Sequence, residues 1–394
     1  MSEGHPGDDN AGHPEGGKGH PGDDAGGHPG GHPGGSKTSG GPHGRDYAKT
    51  PLIATWEVTQ ACDLECDHCR ADAQPDRDPN ELSTAEGKEL IDQLADFGHP
   101  SPVFVISGGD PLKRPDLFEL IDHATSQGLP TAVTPAPTEL LDRETLERFA
   151  DLGVKRIALS LDGSTPEAHD EFRGEEGSYD LIMDRAEMAK DAGLGIQINT
   201  TVTANTVDDL PDIADLVEDL GAAMWEVFFL VPIGRGEELA QLAPEDTIDL
   251  MEWLYRRQKG APFRTITVEA PHYRVVADRL EREESGEGVT VGSTRAGKGF
   301  MFVSYEGEVY PSGFLPHSAG NVREEHVVDL YRDSELFRTL RDADQLVGTC
   351  GSCEFREVCG GSRSRAFAVT GDPMASDPLC PFVDELTAEP APEA

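Results

Sequence analysis

Between residues 51 and 230, short runs rich in β-branched and apolar residues alternate with longer stretches in which apolar residues recur every three or four positions. That alternation leaves few folds open, because two parallel strands need a crossover between them and an amphipathic helix both makes the crossover and covers the sheet. Strands are predicted over 52–59, 103–107, 131–134, 156–161, 195–202 and 224–230. Helical patterns follow over 84–97, 116–127, 139–152, 179–192 and 207–220, several of them closing at a Gly. Six βα units predict an α/β fold, a partial (β/α)6 barrel of the TIM type.

The flanks read differently. Residues 1–48 repeat His-Pro at His5, His13, His20, His28 and His32 among many glycines, with no apolar run to seed a core. Such a composition predicts a disordered tail whose imidazoles offer at most weak metal or heme handling. The barrel is expected over 49–243 and a linking helical region over 244–298, with a helix at 245–258 and then an irregular stretch. A hairpin over 299–310, turning at Glu306-Gly307, opens a C-terminal region that runs to residue 394.

A formal charge of −41 repels nucleic acid phosphates and anionic lipid headgroups, so neither nucleic acid nor membrane is an expected partner. Acids scattered through helices as well as loops, with Arg outnumbering Lys, suit a halophilic source, where salt screens the repulsion. There is no apolar run of membrane-spanning length and no basic-then-apolar leader, so a cytoplasmic location is expected.

The seven cysteines fall into two groups, which in a reducing compartment points to metal or iron-sulfur ligation before disulfides. Cys62, Cys66 and Cys69 form C-x3-C-x2-C directly after the first strand. Three thiolates on one loop hold three irons of a 4Fe-4S cube and leave the fourth open to a ligand. A zinc site completed by His68 is the weaker alternative, because the adjacent His68 and Cys69 hardly reach one tetrahedral ion. Cys350, Cys353, Cys359 and Cys380 suffice to close a second cube, suited to electron transfer; a structural zinc uses the same four thiolates.

The first triplet and its surroundings resemble the radical S-adenosylmethionine (radical SAM) superfamily over about residues 51–235. The resemblance also rests on Ser107-Gly108-Gly109-Asp110-Pro111-Leu112 at the end of the second strand, Ser160-Leu161-Asp162-Gly163 at the end of the fourth, and Asn199 and Thr201 on the fifth. It implies that Gly108, Gly109, Asp110, Ser160, Asp162, Asn199 and Thr201 bind S-adenosylmethionine, with Gly234-Arg235-Gly236 placing Arg235 close by. Read singly, the same residues are a turn, a helix cap and satisfied strand polar groups. The second cysteine group resembles the C-terminal SPASM or shorter twitch extension of these enzymes. Ser312 and Ser362 stand at or near positions where the fuller extension has Cys, so one auxiliary 4Fe-4S cluster is expected.

Four further strings resemble the heme synthase branch of that family: Trp56-Glu57-Val58-Thr59, His68-Cys69-Arg70-Ala71, Val309 to Pro316, and Cys359 to Ala366. The resemblance implies an oxidoreductase that decarboxylates two propionates of iron-coproporphyrin III to vinyls through a 5′-deoxyadenosyl radical, fed by a donor such as ferredoxin. No catalytic side chain is assigned beyond the cluster. Relatives acting on didecarboxysiroheme or heme d1 precursors share much of the pattern. A peptide-modifying maturase and a noncatalytic metal-trafficking protein are the other classes; the former often carries a recognition domain that residues 1–50 do not provide. An anionic porphyrin needs local cations, and Arg70, Arg173, Arg235, Arg363 and Arg365 are the candidates, each equally able to pair with a neighbouring acid.

Overall fold

The computed structural model describes residues 45–71, 73–288 and 294–382, so the His-Pro repeat lies outside the described residues. The chain divides into two units, 1–38 and 39–394, and all described residues belong to the second. Its strands are β1 (Ile53–Glu57), β2 (Val103–Ser107), β3 (Thr131–Val133), β4 (Arg156–Ser160), β5 (Gly195–Val202), β6 (Met224–Phe229), β7 (Arg264–Val268), β8 (Arg295–Ala296), β9 (Gly299–Val303) and β10 (Val309–Tyr310). The helices relevant below are α1 (Thr84–Ala95), α2 (Leu117–Ser126), α3 (Arg143–Asp151), α4 (Pro166–Arg173), α5 (Ser178–Asp191), α6 (Leu210–Asp219), α7 (Pro244–Gly260) and α8 (Tyr273–Ser285).

Strands β1 to β7 pair in chain order, every neighbour parallel, so each crossover advances the chain by one strand in the same direction. That progression curls the sheet into a half-barrel with all strand C-termini at one rim. The six strands read from sequence are present, and the stretch after residue 258, read as irregular, contains β7 and α8 instead. The hairpin at 299–310 forms, but its first arm, β9, also lies parallel against β1 and extends the barrel sheet from its other edge.

Side-chain alternation decides what each face does. On β5, Ile196, Ile198, Thr200 and Val202 are buried, whereas Gln197, Asn199 and Thr201 point the other way. The apolar face, with Trp56, Phe104, Ile157 and Trp225, merges with Leu90 and Ile91 of α1, Leu120 of α2, Phe149 of α3 and Ile213 of α6 in one core. Trp225 keeps its ring nitrogen satisfied inside that core by donating to Thr200 Oγ1 at 2.9 Å. The opposite face is polar, with Ser160 beside Asn199 and Asn199 beside Glu226 in register. Among the described residues, no helix is long and apolar enough to cross a membrane.

Candidate functional site

The loop after β1 is pinned at the strand rim by backbone hydrogen bonds. Gly109 N–H donates to Thr59 O at 2.9 Å, Asp110 N–H to Ala61 O at 2.7 Å, and Cys62 N–H to Gln74 O at 2.8 Å. A Cβ on Gly109 would stand 2.4 Å from Ala61 O, and one on Gly108 2.7 Å from Thr59 O. The crowding that demands glycine here therefore comes from the cysteine loop's own backbone, and the pair fixes where that loop starts. Gly109→Ala is expected to destabilise the metal-free protein by about 1–3 kcal/mol, as overpacking against backbone does, measured by urea unfolding.

All three thiols of this loop are free, Cys62 and Cys66 buried and Cys69 half-buried. Leu64 N–H donates to Cys62 Sγ at 3.4 Å and Arg173 Nη1 to Cys66 Sγ at 3.4 Å. Burial pushes the Cys62 thiol up to about 11, with Asp110 and the other two cysteines adding to it. Such a thiol keeps its proton until a metal displaces it, so ligand binding here releases protons. Among the described residues, no three His, Cys, Asp or Glu side chains are arranged to hold a single metal ion. A cube bound at its corners requires thiolates spread more widely than one ion does, and the all-sulfur donor set suits iron-sulfur chemistry.

Asp110 is fully buried, and its carboxylate is used locally, accepting from Leu112 N–H, Ala136 N–H and Thr138 Oγ1. Asp162 is buried against Arg173 at 2.8 Å, while Thr201 N–H donates to its other oxygen at 2.6 Å. Burial alone would raise the Asp162 carboxyl; Arg173, helped by His68 and His169, holds it below the usual range. Asp162 N–H also donates to His169 Nδ1, and burial lowers that imidazole to about 4, which keeps it the neutral acceptor. A chain of contacts thus runs from strand β5 through Asp162 and Arg173 to Cys66. Arg173 enters on α4, which sequence reading missed although Thr165 as cap, Pro166 at the first helical position and Gly174 beyond the end mark it.

Arg235 closes the loop from the other side, its Nε donating to Cys66 O at 2.9 Å and its N–H to Cys69 O at 3.0 Å. Gly234 makes this approach possible at φ 59°, since a Cβ would stand 2.6 Å from Cys69 O. His68, the alternative zinc ligand, stacks on Phe172 at 4.8 Å.

Ser160, Asn199 and Glu226 sit side by side on the polar face of the half-barrel, with Asn199 Oδ1 accepting from Gln197 at 2.8 Å. Burial raises the Glu226 carboxyl from 4.5 to about 7, against the pull of Arg156 and Arg264. The folded state therefore holds a proton that the unfolded state releases, and stability falls as pH rises through 4.5 to about 7. Glu226→Gln is expected to flatten that slope and raise the melting temperature at pH 7, read from thermal unfolding across the window.

Cys350, Cys353, Cys359 and Cys380 line one pocket together with His272, Phe355 and Gly360. Backbone N–H groups of Phe355 and Gly361 donate to Cys353 Sγ and Cys359 Sγ at 3.3 and 3.4 Å. Burial pushes the Cys359 and Cys380 thiols up to about 12. Ser312 and Ser362 converge as well, but on a carboxylate: with Ser364 they donate to Glu269, which sits at φ 56° just after β7. Sequence reading missed Glu269, because neither its positive φ nor its three serine partners, more than 40 positions away, shows in the local sequence.

The arginines expected to meet a porphyrin are mostly spent on the protein. Arg70 pairs with Glu57 at 2.9 Å and lies over Phe302, and Arg173 pairs with Asp162. Arg363 donates to the carbonyls of Pro373 and Ala375, and Arg365 to Asp377 and the carbonyls of Phe229 and Leu230. Arg70, Arg173 and Arg365 thus have acid partners, whereas the fully buried Arg363 is satisfied by backbone carbonyls.

Residues 56–217 match the model of the Radical SAM superfamily. An AdoMet-dependent heme synthase of Methanosarcina barkeri is 38% identical, covering 84% of this chain and 96% of its own. The chain belongs to the radical SAM superfamily. It is thus an enzyme of a family that works with a 4Fe-4S cluster and S-adenosylmethionine. A second radical SAM relative, the AdoMet-dependent heme synthase of Oleidesulfovibrio alaskensis, is 40% identical over 84% of this chain and 87% of its own. Among solved structures, Streptococcus suis SuiB bound to S-adenosylmethionine superposes with a TM-score of 0.67 at 18% identity, covering 84% of this chain and 77% of that one.

Proposed function

We propose that this enzyme oxidatively decarboxylates propionates of iron-coproporphyrin III to vinyls in heme synthesis. The observation that carries the reading is 38–40% identity to two heme synthases across 96% and 87% of their lengths. Cys62, Cys66 and Cys69 hold the cluster that binds S-adenosylmethionine, with Gly108, Gly109, Asp110, Ser160, Asp162, Asn199, Thr201 and Arg235 around the cofactor. When bound, cluster and cofactor would supply the radical chemistry that removes a hydrogen atom from the propionate β-carbon. The residues themselves position and shield: Arg173, anchored by Asp162, aims a charged donor at Cys66 Sγ, and Arg235 fixes the loop between Cys66 and Cys69.

A flat apolar substrate finds matching surface close by. Phe228 on β6 meets Phe314 at 6.3 Å, both half-buried, while Phe302 on β9 is buried beneath Tyr310 and Arg70 and backs that surface. Cys350, Cys353, Cys359 and Cys380 hold one auxiliary 4Fe-4S cluster, and a ferredoxin-type protein donates electrons.

Anaerobic incubation of reconstituted protein with dithionite, S-adenosylmethionine and, in turn, iron-coproporphyrin III, didecarboxysiroheme or a peptide tests the proposal by mass spectrometry. Loss of two carbon dioxide units from iron-coproporphyrin III is expected. Turnover of either other substrate with none of this one overturns the assignment.

A further inference from the structure

Beside the four-cysteine pocket the fold buries cations that pair with no carboxylate among the described residues. Arg295 is 7% exposed; among the described residues its Nε and Nη1 have no hydrogen-bond partner, and its Nη2 reaches Leu340 O at 3.5 Å. Its guanidinium lies on the backbone next to Cys359: a Cβ on Gly360 would meet Nη1 at 2.9 Å and Cζ at 3.0 Å, and φ 67° there suits glycine. Arg274 donates to Thr294 O at 2.8 Å and leaves Nη1 buried and unpartnered. Lys298 is 8% exposed, and burial together with Arg295 lowers its ammonium to about 8. Arg363 is fully buried, with Nη2 at 3.6 Å from Cys350 Sγ.

The acids nearby do not neutralise them at contact. Asp377 is taken by Arg365 at 3.2 Å, and Glu357 acts on Arg295 and Lys298 through its field. A buried guanidinium without a carboxylate is costly, so Arg295 against Gly360 and Arg363 Nη2 near Cys350 Sγ, with Arg274 and Lys298 in the same field, suit an anion in the pocket they flank. Four thiolates around an iron-sulfur cube carry net negative charge, and reduction adds one more.

We propose that Arg274, Arg295, Lys298 and Arg363 form a cationic collar that raises the reduction potential of the auxiliary cluster and makes it an electron acceptor. The inference rests on the reading that this pocket holds a 4Fe-4S cluster. The step it serves balances. Once the β-carbon has lost a hydrogen atom, the bond from the α-carbon to the carboxylate breaks, carbon dioxide leaves and the vinyl double bond forms. One electron is released, and it reduces the cluster by one unit. Positive charge beside the thiolates stabilises the reduced form more than the oxidised form, because that form carries the extra negative charge.

The test uses full-length protein with Cys62, Cys66 and Cys69 all replaced by Ala, reconstituted and titrated by electron paramagnetic resonance at controlled potential without substrate. About four irons and a cube signal in this parent establish the cluster reading, and their absence removes that reading rather than the collar. Arg295→Met is then expected to shift the oxidised-to-reduced ratio at fixed potential about tenfold toward oxidised, which is about 59 mV lower for a one-electron couple. Arg295→Lys is expected to stay near the parent, because it keeps the charge. Should Arg295→Met fail to bind iron, Arg274→Gln and Lys298→Met carry the test. A midpoint equal to the parent's in the cluster-bearing neutralised variants overturns the proposal. Because no substrate is present, a shift also separates tuning of the cluster from capture of a substrate carboxylate.

Discussion

Replacing Cys62, Cys66 or Cys69 by Ala is expected to abolish formation of 5′-deoxyadenosine while leaving about four irons per chain at the C-terminal site. The two cysteine groups lie on separate loops and draw on separate partners. The first hangs between the Gly108-Gly109 backbone, Arg173 and Arg235, and the second is enclosed by His272, Phe355 and Gly360. Loss of one thiol leaves the other two on a loop still pinned at Ala61 and at Cys69, so the fold survives. Two thiolates cannot hold a cube with one iron correctly exposed, and cofactor cleavage fails at its first requirement. Chromatography of acid-quenched reactions, with iron counted on the same samples, checks both halves. Undiminished cofactor cleavage in the triple Ala variant would sink the ligand assignment.

The barrel was legible in the sequence because its signals are local. Period-2 runs bounded by Gly and Pro and amphipathic stretches with recognisable caps placed six strands, with bounds shifted by one to a few residues. Asp142, accepting from Thr145 N–H at 2.8 Å, starts α3 later than the apolar pattern alone does. The pairing of β9 with β1 joins residues nearly 250 positions apart, and no local pattern announces it. Strand β7 was missed because five residues beginning with an exposed Arg give too short an alternation to stand out from a loop.

For the candidate site, residue identities were legible and their partners were not. Cysteine spacing singled out both thiol groups, and the structure places Asp162, Thr201 and Arg235 near the first of them. For the five arginines both roles stayed open in the sequence, because a chain this acidic shows an excess of possible partners without showing which of them are buried. Arg365 meets Asp377 12 positions on, and Arg173 meets Asp162 across α4, both inside the fold. Gly108 and Gly109, expected from sequence to bind S-adenosylmethionine, stand against the backbone of residues 59–61, a contact no local pattern shows.

Cys359→Ala is expected to uncouple cofactor cleavage from product, giving 5′-deoxyadenosine at a near-normal rate with little vinyl product. Cys359 is buried, accepts from Gly361 N–H and lines the pocket with the other three cysteines, so its loss opens the auxiliary cluster at one corner. Nothing in that change reaches the loop of Cys62, Cys66 and Cys69, whose contacts come from β2, α4 and the segment after β6. Hydrogen abstraction should continue, and the electron left by decarboxylation should lack its acceptor. The abstraction product then either takes back a hydrogen atom or decays, and deoxyadenosine accumulates in excess over vinyl groups. Parallel quantification of deoxyadenosine and vinyl product by mass spectrometry gives the ratio, which should rise at least about tenfold over wild type, a barrier change of about 1.4 kcal/mol in the partition. An unchanged ratio, or about four irons with one zinc in the wild type, would make the C-terminal site structural and end its role as acceptor.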